Sequence, residues 1–308
     1  MVAGVLFPST GLVFEPYLLI WLGLLLFVNL IRLNPKDILD SFAKPTNIVV
    51  MTLFKLLILP LGVYAITYFI YPKLALSATL LSGVSTAFGA PFAVNFIGRA
   101  KLSAMVGVIV VSSIAAPFTL PTIAYFLFKE KISIPIFDMI FVLAMALLIP
   151  LFVGWYTRKK AERLAKTINE NSLLISLILI VLINLSVFAN FSSYFFMNSL
   201  FVIELVMAAF LLFGLYGLAG YYYYYSYYFF ELITGGRRKR RRENSNNNKG
   251  EEKEEDDKIT GLLAMTYISN VLVVVLAHQF FDIKTEALAA FYQIPYYGGL
   301  LLLKKLLV

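Results

Sequence analysis

The sequence predicts an all-α polytopic membrane protein, and three observations carry that expectation. Of its 308 residues 60% are hydrophobic and 14% charged, its mean hydropathy is +0.82, and its apolar residues fall in runs of about 20 or more, the length that crosses a hydrocarbon core of ~30 Å. Ordinary soluble domains carry about 25% charged residues. Lipid offers no partner to a free backbone amide, and the runs are continuous rather than alternating, so the spans read as helices and not as a β-barrel.

Breaks at charges, Gly/Pro clusters and Asn-rich stretches leave about nine spans, near 16–33, 46–71, 74–98, 102–128, 132–157, 171–192, 197–230, 259–281 and 285–303. Residues 1–15 form an N-terminal segment without a basic n-region or a small-residue cleavage site, so a cleaved signal peptide is not expected. Odd-numbered connections, with the C-terminal end, carry 21 Lys and Arg against 4 in the even-numbered ones. By the positive-inside rule the N-terminus is expected outside, the C-terminus in the cytoplasm, and the chain in the cell membrane.

The net charge of +8 lies between spans rather than on an amphipathic face, so the expected partner is the lipid bilayer and not nucleic acid. With no cysteine there is no disulfide, thiolate metal site or thiol nucleophile. There is no phosphate-cradling glycine loop with its lysine, no metal-spaced His/Glu set and no His beside a nucleophile, so an enzyme is not expected. Residues 235–258 run from a basic block through an Asn tract to an acidic block, and are expected as a disordered cytoplasmic linker. The run Tyr221 to Tyr228 is expected as an interfacial aromatic belt.

Polar and helix-breaking residues within spans carry the functional signal, because lipid disfavours them. The third span places Ser82, Gly83, Ser85, Thr86, Gly89, Ala90 and Pro91 at its middle, with Asn95 beyond, and a loss of regular hydrogen bonding is expected over 86–91. The eighth carries Thr266, Ser269 and Asn270 at its middle. It lies five spans later and crosses in the opposite sense, and paired interrupted helices in corresponding places are the best sequence pointer to a transporter site. Helix packing through small residues is the competing explanation. Ser112 and Ser113 ahead of Pro117, and Gln293 ahead of Pro295, are further candidates for the same cavity, although hydroxyls in helices often bond back to their own backbone. Lys55 is expected to snorkel to the surface, and His278, the only histidine, to lie at a membrane interface.

The block Gly83-Val-Ser-Thr-Ala-Phe-Gly-Ala-Pro-Phe92, followed by Ala100-Lys-Leu-Ser103 and Ser112-Ser-Ile-Ala-Ala-Pro-Phe-Thr-Leu-Pro121, resembles the fourth and fifth helices of the bile acid:sodium symporter family, within the bile/arsenite/auxin transporter superfamily. Leu30 to Asp37 and Leu56 to Leu61 resemble its second and third helices, and Tyr267-Ile-Ser-Asn-Val271 falls at its ninth. The resemblance implies an inverted-repeat, sodium/proton-antiporter-like fold with crossed discontinuous helices and the first of the usual ten helices missing. It implies one membrane transporter domain over 16–308, with a panel (16–33, 132–192) and a core (46–128, 197–230, 259–303). It further implies alternating access for a small organic anion, with Thr86, Gly89, Ala90, Pro91, Asn95, Asn270 and Gln293 at the substrate. Na+ is the implied coupling ion, near Ser112, Ser113, Thr266 and Ser269.

The chain departs from that pattern in one respect. The Ser-Asn pair of sodium-coupled members falls at Gly89 and Ala90, and their Glu and Gln fall at Met265 and Ser269. Auxin efflux carriers show a string like Pro91 to Asn95, so efflux without sodium is a second expectation. A receptor or scaffold that signals through 235–258, with protein partners unspecified, is a third.

Overall fold

The computed structural model describes residues 2–33, 41, 45–129, 135–233 and 247–307. Among them every regular element is a helix. Two short helices, α1 (Val2–Leu6) and α2 (Pro8–Leu12), lead into α3 (Leu18–Arg32). The N-terminal segment packs along the later helix α10 (Ser172–Asn190). Gly11 permits the approach, since a Cβ there would lie 2.3 Å from the carbonyl oxygen of Leu185.

The chain continues through α4 (Pro45–Ile70), α5 (Ala75–Ser82), α6 (Ala90–Ile97), α7 (Leu102–Phe128), α8 (Ile136–Lys160) and α9 (Glu162–Glu170) to α10. Then follow α11 (Ser192–Met197), α12 (Ser199–Ile233), α13 (Asn247–Thr266), α14 (Asn270–Phe280), α15 (Ile283–Phe291) and α16 (Gln293–Leu307). Six stretches are each long and apolar enough to cross a membrane: Pro8–Arg32, Pro45–Ile70, Leu102–Phe128, Ile136–Lys160, Ser172–Asn190 and Ser199–Phe229. The other three expected spans are each interrupted: α5 from α6, α13 from α14, and α15 from α16 at Tyr292, where the ring of Pro295 opposes the carbonyl of Phe291. Of the fifth span, residues 132–134 lie outside the described residues.

The outer surface is apolar where these helices face away from one another, with Phe69, Phe137, Leu211 and Leu301 among its exposed side chains. That is a surface for lipid rather than water. Inside, α3 packs on α8 and α10, while α4 packs on α5 and α7, α12 on α13, and α15 on both α5 and α14. An equally close approach joins α12 to α13 at Gly220 and Gly261, where a Cβ on either would come within 2.3 Å of the other's carbonyl oxygen. Small residues permit such backbone contact between membrane helices.

One expectation about a polar segment needs correction. The stretch 235–258, expected as disordered, is helical from Asn247 onward, while 235–246 lies outside the described residues. Two of its acidic residues are held by partners remote in sequence, Glu255 lying 2.5 Å from Arg99 and Asp257 pairing with Lys101, while Glu254 lies 2.7 Å from Lys258 one turn along the same helix. The backbone amide of Lys101 donates to Thr260 Oγ1 at 2.8 Å, anchoring the turn after α6 to α13. Neutralised in this way, a run of like charges can remain helical. The tyrosine run, besides its aromatic surface, places the rings of Tyr221, Tyr224 and Tyr225 5.7, 5.3 and 5.0 Å from Lys258 Nζ, within cation–π range.

His278, in the last turn of α14, joins a polar cluster. Its Nε2 lies 3.3 Å from Glu15 and its Nδ1 3.4 Å from Glu286, and Asn190 donates to the same Glu15 oxygen at 2.8 Å. One cluster thus ties the N-terminal segment to α10, α14 and α15.

Candidate functional site

Two interrupted helices meet at their breaks. The first interruption covers residues 83–89, slightly earlier than the expected 86–91. Pro91 falls in the first turn of α6, where a missing amide removes no helical bond, and the irregular backbone precedes it. The second covers residues 267–269. Thr86 and Ile268 form one antiparallel bridge, in which Ala87 N donates to Tyr267 O at 2.8 Å and Ser269 N donates to Ser85 O at 2.9 Å. Both interruptions therefore sit at one level.

Backbone groups released by the interruptions require other partners in a buried setting. Thr86 Oγ1 donates to Ala264 O at 2.9 Å, and Thr86 N donates to Ser112 Oγ at 3.2 Å. Tyr292 Oη donates to Thr266 O at 2.9 Å, and Asn270 Nδ2 donates to Ala289 O at 3.2 Å. Thr266 Oγ1 and Ser112 Oγ also bond back to Leu262 O and Ile109 O, at 2.8 and 3.3 Å. Ser85 and Ser113 are buried with hydroxyls that no protein atom engages.

Lys55 corrects a further expectation. Instead of snorkelling, its side chain is fully buried, with Nζ donating to Ser82 O at 3.2 Å and to Met265 O at 3.3 Å. It sits in a π-helical turn, Phe54–Ile58, inside α4. Pro60 follows, and its ring clashes with the carbonyl four residues back, which the wider turn relieves. The face of Tyr216 lies 6.0 Å from the ammonium.

Beside the crossing is a cavity of roughly 340 Å³. Gly89 and the residues Tyr267 to Val271 form one wall, α3 and α10 face it, and Tyr296, Tyr297 and Leu300 of α16 close a side. A smaller cavity of roughly 190 Å³ adjoins it and adds Pro91 and Asn95, and both reach Asn29 and Arg32 on α3. Of the candidates from sequence, Gly89, Ser269 and Asn270 line the larger cavity and Pro91 and Asn95 the smaller. Thr86, Ala90, Ser112, Ser113 and Thr266 are buried in the crossing behind that wall. Gln293 is buried on α16, outside the cavity lining, with neither side-chain polar atom hydrogen-bonded.

Sequence reasoning missed Asn29, Arg32, Ser176 and Asn184, which give the cavity the polar character of its α3 and α10 side. In sequence Arg32 reads as one of the basic residues that flank spans. Ser176 and Asn184 sit eight residues apart on one face of α10, a spacing that marks a polar stripe in an otherwise apolar helix.

Apolar outer surface, crossed interrupted helices and an adjoining internal cavity together define a polytopic helical membrane protein built as secondary transporters are. The chain belongs to the sodium bile acid symporter family, which it matches over residues 19–198. It is thus a membrane transporter by family, and its family's members are not enzymes. The match contains the first interruption and ends before the second. No curated protein matches the chain.

Proposed function

We propose that the chain moves a small organic anion, carboxylate or bile-acid-like, across the cell membrane by alternating access. The carrying observation is the cavity, which brings Arg32 and the N-terminal ends of α6 and α14 to one space. A helix N-terminus carries about half a positive charge, and a guanidinium holds a carboxylate through paired donors. Apolar residues Leu22, Leu25, Leu26, Leu177 and Ile180 form much of the rest, which suits an anion with an apolar body.

In this reading α3, α8 and α10 form the panel and the remaining spans the core that moves against it, with the N-terminus outside and the C-terminus in the cytoplasm. Thr86, Ala90 and the hydroxyls behind the wall hold the crossing, while Gly89, Pro91, Asn95, Ser269 and Asn270 border the substrate. Gln293 lies one turn from Tyr296 and Tyr297 and supports that side of the cavity. A carrier that works without sodium, as in the auxin efflux type, is the second reading, favoured by Met265 at the place of the family's carboxylate.

Counterflow of a panel of labelled organic anions in proteoliposomes tests the proposal. The wild type exchanges at least one of them, and Asn270→Ala loses that exchange while retaining expression. Equal exchange by the variant, or none by the wild type across the panel, contradicts it.

A further inference from the structure

Lys55 is the only charged side chain of the chain's described residues that is completely withdrawn from solvent. Among those residues no carboxylate lies within ion-pair distance of it. A buried ammonium without a counter-charge is strongly disfavoured unless its surroundings supply negative potential. Here they do. α5 ends at Ser82 and α13 at Thr266, and Nζ bonds the Ser82 and Met265 carbonyls of those final turns. Each helix C-terminus carries about half a negative charge, so the two ends together balance one monovalent cation.

A sodium ion does not fit the same place. Met265 offers no carboxylate, and its carbonyl is already taken by Lys55. Of the hydroxyls at the crossing, Ser112 Oγ already accepts from Thr86 N, while those of Ser85 and Ser113 engage no protein atom, so the grounds against sodium are the missing carboxylate and the ammonium itself. A second cation would meet the ammonium with unscreened repulsion in a dry interior.

We propose that the Lys55 ammonium is a tethered cation that takes the place of a coupling sodium ion at the crossing, so that the protein binds no sodium there and works without it. The inference rests on reading the crossing as the transport site, and it specifies how that site is held in charge balance. The π-helical turn is consistent with it, because such turns are frequent at functional positions, and this one holds the lysine between two helix ends.

The test is thermal unfolding of the purified protein in choline, sodium and methylammonium chloride at equal ionic strength. The wild type melts alike in all three. Lys55→Ala melts lower in choline, by about 5 °C or more, and recovers at least half of that loss in sodium or methylammonium, because a free cation can enter the vacated space. A saturable rise in the wild-type melting temperature with sodium overturns the inference. So does a Lys55→Ala protein that melts like the wild type in choline, or one that no small cation restores. Should the variant not fold, the wild-type sodium titration decides alone. No flux enters these measurements, so failure here is separate from failure of the transport reading.

Discussion

Thr86 and Ile268 face one another as a single antiparallel bridge between two helices that have each lost their regular ladder. Two segments of opposite direction are fixed at a common level by backbone hydrogen bonds on both sides of that pair. The bridge leaves the N-terminal ends of α6 and α14 beside the cavity and the C-terminal ends of α5 and α13 at Lys55. Helix-end charge is thereby sorted, with N-terminal ends at the cavity and C-terminal ends at the Lys55 ammonium.

The hydroxyl of Thr86 should be needed for that sorting. Thr86→Val keeps the volume but leaves Ala264 O without its donor, a loss of about 1–3 kcal/mol. The melting temperature should fall by roughly 2–4 °C per kcal/mol, with transport lost, and Thr86→Ser should restore both. Circular dichroism melts and flux assays on the three proteins check this.

Arg32 should set affinity rather than assembly. It lines both cavities while exposed, so Arg32→Gln should fold normally and raise KM for an anionic substrate by about 10- to 100-fold, the worth of a charge-assisted contact. Arg32→Lys should recover part of the loss, since it keeps the charge without the paired donors. Concentration-dependent uptake separates KM from maximal rate.

The α12 and α13 contact should tolerate no side chain. Gly261→Leu places its Cβ within 2.3 Å of the Gly220 carbonyl oxygen, and loss of monodisperse protein on size exclusion is expected. Gly214→Ala, where a Cβ meets nothing within 4 Å, should behave as the wild type.

The ion pairs of α13 should contribute little singly. Glu255→Lys opposes Arg99 across an exposed contact, and such pairs are worth up to about 1 kcal/mol. Glu255→Lys with Arg99→Glu should regain the wild-type melting temperature, and the difference should shrink as salt rises.

How much of this was legible follows from where each residue's partners lie. That the third and eighth spans are interrupted was visible, with the first break expected over 86–91 rather than at 83–89, because hydroxyls, glycines and a proline are costly in lipid, and that cost is local. Lys55 was not, because its acceptors lie 27 and 210 positions away, and a lysine within reach of a span's end ordinarily extends to the surface. The acidic run read as solvated for the same reason, since Arg99 and Lys101 each meet it across 156 positions. Arg32 carried a basic residue's ordinary topological meaning, and only the packing of α3 beside the crossing gave it a second one.

Gly89 stands on the cavity wall, and a Cβ there would come 3.2 Å from the hydroxyl of Tyr296 and no nearer to any other atom. The decisive measurement is organic-anion counterflow by Gly89→Leu, a variant expected to fold and to fill the space beside the crossing. Flux by the wild type together with none by Gly89→Leu, at unchanged melting temperature, is the expected result. Undiminished flux through Gly89→Leu would show that the substrate passes elsewhere.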